Sequence, residues 1–311
     1  SSDLNKKQAL GERRIGLGVM GLHDLLIYCE TQYGSEEGNK LVAEVFETIA
    51  HAAYEASVEL AKEKGSFPFL TAETEEGTKE LRNRFVRTGF MEKMPDNLKE
   101  GILQHGIRNS HLLTVAPTGS TGTMVGVSTG LEPYFSFTYF RSGRLGKFIE
   151  VKADIVQEYL DCHPEADPEN LPEWFISAME LSPEAHADVQ CIIQRYIDSS
   201  ISKTVNAPKG YTVEQVERVY ERLYKGGAKG GTVYVDGSRD AQVLTLKAEE
   251  NHFEQQELEL GDDEKKVVLV DTINELRSTN VTIGSEVGNT CPVCRKGEVK
   301  ELGGCNTCTN C

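Results

Sequence analysis

Apolar residues recur at helical spacing from Ser35 to Lys64, where Val42, Val45, Phe46, Ile49, Ala53, Ala56 and Leu60 define one face. Glu36 and Glu37 stand in the first turn, Lys62 and Lys64 in the last, and Gly65 and Pro68 follow, so one long helix is predicted. A second helix is predicted from Ser182, a cap followed by Pro183 at the first helical position. Val189, Ile192, Ile193, Tyr196 and Ile197 form its buried face up to about Asp198. Between these helices, residues 71–100 are charged and weakly periodic, and read as an irregular stretch with a short helix. Farther on, the strand Ile201 to Val205, a helix opened by the Thr212-x-x-Gln215 capping box, and the strand Gly231 to Val235 read as one β-α-β unit. Val213, Val216, Val219, Tyr220 and Leu223 are expected to face its sheet, and Gly226 and Gly227 to stop its helix.

Two glycine-rich segments interrupt this pattern. Gly16-Leu17-Gly18-Val19-Met20-Gly21 matches the G-x-G-x-x-G dinucleotide signature letter for letter, yet the preceding residues Ala9 to Arg14 are polar and charged, not a buried strand. Ile15, Val19, Leu22, Leu25 and Leu26 continue at helical spacing, so these glycines read as points of close helix packing, with no nicotinamide or flavin site. In the other segment the short apolar run Leu112 to Ala116 is stopped by Pro117. Thr118, Gly119, Ser120, Thr121, Gly122 and Thr123 then offer backbone N–H groups and hydroxyls ahead of a segment able to start a helix. Such a start favours an anion, so the segment reads either as a phosphate cradle or as a ligand-free turn. Ser202, Lys203, Asp236 and Arg239 flank the strands of the β-α-β unit. They read either as substrate or cofactor contacts or as a structural ion pair between lysine or arginine and aspartate.

Composition narrows the classes. The chain has 311 residues, 39% apolar and 26% charged, an ordinary globular balance. Its net charge of −16, from 49 acidic against 33 basic residues, argues against a general grip on nucleic-acid polymer or an anionic membrane. No run approaches the ~18–20 apolar residues of a membrane span and Ser1-Ser2-Asp3 begins no signal peptide, so a cytoplasmic location is expected. Between Glu249 and Glu264 stand eight acidic residues and only two bulky aliphatics, an acidic linker, followed by one apolar strand candidate within Lys265 to Thr272. The expected organisation is therefore a main domain over 1–244, a linker and small strand element over 245–290, and a cysteine-rich tail over 291–311.

Five of the eight cysteines crowd into the last 21 positions. Cys291-Pro-Val-Cys294 and Cys305-x-x-Cys308-x-x-Cys311 have the form of two facing thiolate knuckles, the geometry of structural zinc. Cys291, Cys294, Cys308 and Cys311 are the favoured ligands, with Cys305 left free as a redox candidate, and a dithiol relay is the competing reading.

Several stretches together resemble the C-terminal half of ribonucleotide reductase catalytic subunits, most closely the adenosylcobalamin-dependent class II enzymes. They are RRIGLGVMGLHDLL (13–26), AAYEASVELAKEKGSFP (52–68), RNSHLLTVAPTGS (108–120), GVSTGLEPYFSFTYFR (126–141), DSSISKTVNAP (198–208), GGTVYVDGSRDAQVL (230–244) and the cysteine tail from Cys291. The resemblance implies an α/β fold, the C-terminal part of a ten-stranded α/β barrel, followed by a small zinc-ribbon-like tail. It implies reduction of a ribonucleoside diphosphate or triphosphate by thiyl-radical chemistry, with adenosylcobalamin as cofactor and a thioredoxin-like reductant as partner.

By the same resemblance, Ala116, Pro117, Thr118, Gly119, Ser120 and Thr121 bind the substrate phosphates. The radical cysteine and its reducing pair lie upstream of the segment matching 13–26, so no catalytic residue is expected in this chain, and Cys29, Cys162 and Cys191 read as core or surface residues. Reductases of this family carry the phrase at 13–26 on a helix. Class I subunits carry a tyrosine pair on the strand matching Thr232 to Val235, where this chain reads Val233-Tyr234, which favours cobalamin as the radical source. A chain of this kind reads as a split gene product, an intein-released segment or an expressed fragment, inactive without an N-terminal half or second subunit. Two further readings stand beside it: a noncatalytic complementing half, and a zinc-ribbon interaction protein.

Overall fold

The computed structural model describes residues 2–143, 146–168, 170–238, 244–245, 299–302 and 305–308. Contacts divide the chain into two compact units, Ser1–Glu249 and Glu250–Cys311. The acidic stretch 249–264, the strand candidate 265–272, Arg239, Cys291, Cys294 and Cys311 lie outside the described residues.

The first unit is built on its longest helix. After α1 (Ser2–Glu12) and α2 (Leu22–Tyr28), α3 runs Glu36–Lys64. Ser35 caps α3 by accepting the N–H of Gly38 at 2.9 Å, and Gly65 closes it at φ 79°. Its face is carried by Val42, Phe46, Ala50, Tyr54, Val58 and Ala61, whereas Leu60 and Ala56, expected inside, are exposed. The buried stripe of a straight helix advances by close to four residues at a time, and Tyr54 and Ala61 occupy it where letter type alone had favoured Ala56 and Leu60.

Residues 71–100 are more ordered than expected. They contain α4 (Glu75–Phe85), capped by the Thr74 hydroxyl, and the start of α5 (Asp96–His105). No residue of α4 is buried, which is why its apolar period is faint. The capped helix from Ser182, α8 (Pro183–Gln194), ends four residues early because the N–H groups of Arg195 and Tyr196 reach back three residues, to Ile192 and Ile193, tightening the last turn. Val189, Ile193 and Ile197 nevertheless remain buried.

A parallel arrangement of extended segments lies beside these helices. Leu17 bridges Leu113, Val115 bridges Ile201, and β3 (Thr204–Ala207) pairs in parallel with β4 (Thr232–Val235), in register Thr204↔Thr232 and Asn206↔Tyr234. Between the last two runs α9 (Val213–Lys225), with the capping box at Thr212 and Gln215 formed as expected. Only Val219 and Leu223 of its predicted face are buried; Val213 is 80% exposed and Tyr220 46%. The interface with α8 and β3 is one stripe wide and takes only two of the five apolar positions. The central core joins α3, α5 and α8 to the 112–115 segment through Phe46, Tyr54, Ile102, Leu113, Val115 and Ile193.

Two antiparallel sheets and the helix that follows the first of them were not anticipated. A hairpin of β1 (Thr138–Gly143) and β2 (Gly146–Lys152) forms an antiparallel sheet in the order β2-β1-β5, with β5 at Leu244–Thr245, and α7 (Asp154–Cys162) follows the hairpin. In the second unit β6 (Val299–Leu302) pairs antiparallel with β7 (Cys305–Cys308), so Cys305 is opposite Leu302 and Cys308 opposite Val299. No helix among the described residues is long and apolar enough to cross a membrane.

Candidate phosphate-binding site

The site is built at the carboxyl end of the 112–115 segment. Leu112, Leu113 and Val115 are buried, and the carboxylate of Asp198 accepts the N–H groups of Leu112 at 2.7 Å and Leu113 at 3.1 Å as well as the hydroxyl of Tyr54 at 2.5 Å. The segment therefore enters the turn from a fixed base. Pro117 cannot continue the ladder, and Thr118 takes the left-handed conformation at φ 46°. Helix α6 (Gly119–Val125) starts immediately afterwards, its first bond running from the N–H of Gly122 to the carbonyl of Thr118 at 2.7 Å. The N–H groups of Gly119, Ser120 and Thr121 precede that bond and have no partner within the helix.

The Thr118 side chain does not cap them. Its hydroxyl instead accepts the N–H of Gly130 at 2.7 Å. Ala116, Pro117, Gly119, Ser120 and Thr121 are exposed and Thr118 half-buried, so three amides and two hydroxyls face outward together at a helix start. A side chain built at Gly119 would meet nothing within 4 Å, which leaves room for a ligand to approach the backbone.

The return segment 127–134 is held from behind by groups that sequence reasoning did not single out. Ser128 is gripped three times: its carbonyl accepts Gly21 N–H at 2.8 Å, its hydroxyl accepts His23 N–H at 3.2 Å, and its own N–H donates to Asp24 Oδ2 at 2.8 Å. Asp24 Oδ1 also accepts the Tyr134 hydroxyl at 2.6 Å, and His23 Nδ1 accepts Tyr134 N–H at 3.0 Å. Burial pushes the His23 imidazole down to about 4, which keeps it neutral and keeps Nδ1 an acceptor. Tyr33, fully buried, donates to the carbonyl of Leu131 at 2.6 Å. Glu132 accepts Thr204 N–H on Oε1 at 2.6 Å and Lys203 Nζ on Oε2 at 2.7 Å. No periodicity marks Asp24 or Glu132; each is a single acidic letter whose partners lie 71 to 110 positions away.

Two expectations need correction. Gly16 and Gly18 are in the extended segment that bridges Leu113, not in a helix. A Cβ at Gly16 would come within 2.8 Å of Thr114 Cγ2, and one at Gly18 within 2.6 Å of the Thr114 carbonyl oxygen, so the close packing they permit is against a neighbouring strand. Gly21, at φ 80°, is the N-cap of α2, and the donors of Gly21 and His23 are already taken by Ser128. The buried ion pair near β3 also has a different partner: Lys203 joins Glu132 rather than an aspartate. Ser202 is exposed and hydrogen-bonds through its N–H to the carbonyl of Val115 at 2.9 Å.

Cys29 at the end of α2 and Cys162 at the end of α7 are exposed, whereas Cys191 is buried in α8, where burial raises its thiol. A groove of about 610 Å³ on the helical layer lies between α8 and α9. Arg222 and Lys225 on its wall are neutralised by Asp188 and Glu221. Among the described residues no group of three or more His, Cys, Asp or Glu side chains is placed to hold a metal.

Residues 4–234 match the family described as "Ribonucleotide reductase, barrel domain". Similar curated proteins include the vitamin B12-dependent ribonucleoside-diphosphate reductases of Mycobacterium tuberculosis and Thermoplasma acidophilum. Each is 32% identical over 77% of this chain, covering 33% and 30% of the relative's length. The ribonucleoside-diphosphate reductase subunit alpha of Chlamydia pneumoniae is 27% identical over 72% of the chain and 24% of its own length. This chain thus spans about a third of the length of the first two relatives. With that match extending over both glycine-rich segments, α3, α8 and the β3–β4 unit, the chain belongs to the ribonucleotide reductase family, in its barrel domain.

Proposed function

We propose that this chain supplies the substrate-phosphate seat of an adenosylcobalamin-dependent ribonucleotide reductase that makes deoxyribonucleotides for DNA synthesis. One observation carries the reading. At the carboxyl end of a buried parallel segment, an exposed turn presents the amides of Gly119, Ser120 and Thr121 and the hydroxyls of Ser120 and Thr121, with no group among the described residues capping them. A phosphate completes those donors. On the neighbouring strands Thr204 pairs with Thr232 and Asn206 with Tyr234, while Val205 and Ala207, alternating with them along β3, are buried. That row of hydroxyls and an amide suits a ribose.

The cofactor rests on the names of the relatives. When bound, adenosylcobalamin supplies the radical, and its seat is assigned to the remaining two thirds of the relatives' length. The radical cysteine and its reducing pair are assigned there too, because Cys29 and Cys162 stand at helix ends and Cys191 lies within α8 against Leu223. This chain positions substrate and its partner polypeptide carries out the redox chemistry. In this reading the tail binds one zinc through Cys291, Cys294, Cys308 and Cys311 while Cys305 exchanges with a thioredoxin-like reductant in the cytoplasm. Metal analysis of the reduced chain checks the tail: about one zinc per chain is expected, released by Cys291→Ser.

The main test is turnover. The chain alone, with adenosylcobalamin, a dithiol and ribonucleotide, is expected to form no deoxyribonucleotide. Addition of a polypeptide carrying the missing part of the barrel is expected to restore it. Product from residues 1–311 alone would remove the division of labour, and absence of product in the mixture would remove the reductase assignment for this chain.

A further inference from the structure

Lys203 is 2% exposed, a cation placed where water cannot reach it, and all three of its N–H donors are used. They go to Glu132 Oε2 at 2.7 Å, His186 Nδ1 at 2.9 Å and the carbonyl of Thr204 at 2.6 Å. His186 accepts at Nδ1 because its Nε2–H is committed to the carbonyl of Ala178 at 3.0 Å, and burial beside Lys203 keeps the ring neutral, pushed down to about 3. Removal of charge from water offsets most of what such a pair contributes to stability, and an apolar pair of similar volume often serves as well. What the ion pair supplies here is geometry, and that geometry leads to the phosphate turn.

Glu132 grips two successive residues at the start of β3, Lys203 by its side chain and Thr204 by its backbone. Its own N–H donates to the carbonyl of Thr129 at 2.9 Å, closing a tight turn around Gly130. Gly130, at φ 54°, comes so close that a Cβ there would lie 3.0 Å from the carbonyl oxygen of Ala116, and its N–H donates to the Thr118 hydroxyl. Thr118 is one of three described non-glycine residues at positive φ, a conformation that costs a threonine energy and needs an external hold. The links run unbroken from His186 on α8 through Lys203, Glu132 and Gly130 to the residue that aims the first turn of α6.

We infer that Glu132 and Lys203 are positioning residues for the phosphate seat: their ion pair holds the 129–132 turn against β3, and that turn fixes the left-handed Thr118 that aims the amides of residues 119–121. The inference rests on the phosphate reading only for its functional consequence; the mechanical claim stands on the described contacts.

Hydrogen exchange and nucleotide titration of the full chain test the two parts separately, using Glu132→Gln, Glu132→Ala and Lys203→Met, with cytidine diphosphate as probe. In Glu132→Gln the amide keeps the volume of the side chain but offers one acceptor where two are needed. Exchange at residues 118–132 is expected to accelerate by about tenfold in Glu132→Gln and more in Glu132→Ala, with amides of α3 and α5 unaltered. Cytidine diphosphate affinity should fall in the same order. Unaltered exchange at 118–132 in both Glu132 variants would overturn the inference. Acceleration spread over α3 and α5 in Glu132→Gln would also overturn it, by showing a core-stability role; Lys203→Met is a supporting variant, and Glu132→Gln decides if it does not fold. If the wild-type chain binds no cytidine diphosphate while local acceleration is seen, the positioning claim stands and the phosphate reading fails.

Discussion

The two glycine-rich segments are neighbours in space, since Leu17 within the first bridges Leu113 just before the second, yet they differ in the use of their backbone donors. In the first, glycine is required by crowding: Gly16 and Gly18 admit Thr114 at distances that no Cβ would tolerate, and the donors of Gly21 and His23 end on Ser128. In the second, Gly119 faces open space and the helix-start amides face outward. The segment with the perfect dinucleotide lettering is thus filled by protein, whereas the one with the looser lettering is open for an anion. A glycine motif predicts a ligand only when its N–H groups are left over after the fold has used what it needs.

The largest effect is expected at the open segment. Replacing Ser120 and Thr121 by alanine in the complete enzyme should weaken nucleotide binding by about 1.5–3 kcal/mol for each charge-assisted bond removed. Isothermal titration reads this directly, and unchanged affinity would show that the outward donors are idle.

Acid should act next, through the groups beneath the loop. The folded His23 and His186 are depressed to about 4 and about 3 from an ordinary value of 6.5, so between those limits the unfolded chain binds protons that the folded chain refuses. Stability is therefore complete above pH 6.5 and falls as pH drops toward 4, by an amount on the order of a few kcal/mol. Urea unfolding across that window should show the slope, and His23→Gln should flatten it. A slope unchanged by His23→Gln would mean that the neutral imidazole under Tyr134 is not what acid attacks.

At the crowded segment, Gly18→Val should lower stability by about 1–3 kcal/mol, because the new side chain meets the Thr114 carbonyl and backbone cannot easily move aside. Thermal unfolding checks it. The smallest stability effect belongs to Gly119→Ala, where the added methyl meets nothing: a change within about 0.5–1 kcal/mol, in the stabilising direction expected for alanine in a helix. Nucleotide affinity in this variant should nevertheless drop, and a variant neutral in both respects would mean that no ligand approaches Gly119.

Where signals were local, the chain could be read directly. Ser182 and the Thr212–Gln215 box cap the helices they were expected to cap, because a cap needs only a hydroxyl and an amide two or three residues away. The strand-to-loop step at Ala116–Thr121 was visible for the same reason, as Pro117 and the glycines act on their own backbone. The hairpin 138–152, the extended state of Gly16–Gly18 and the exposure of Val213 and Tyr220 were not, since each depends on what lies opposite in space.

By itself, then, the sequence determined the helix limits set by caps, the β-α-β order and the place of a turn rich in free donors, all consequences of short-range sterics and hydrogen bonding. Only the tertiary structure decided which donors stay free. Asp24, His23, Glu132 and Lys203 are isolated letters whose roles arise from partners 17 to 111 residues distant. Burial at those contacts sets the state of both histidines, and it is there that one glycine segment is sealed against the fold and the other held open at its edge.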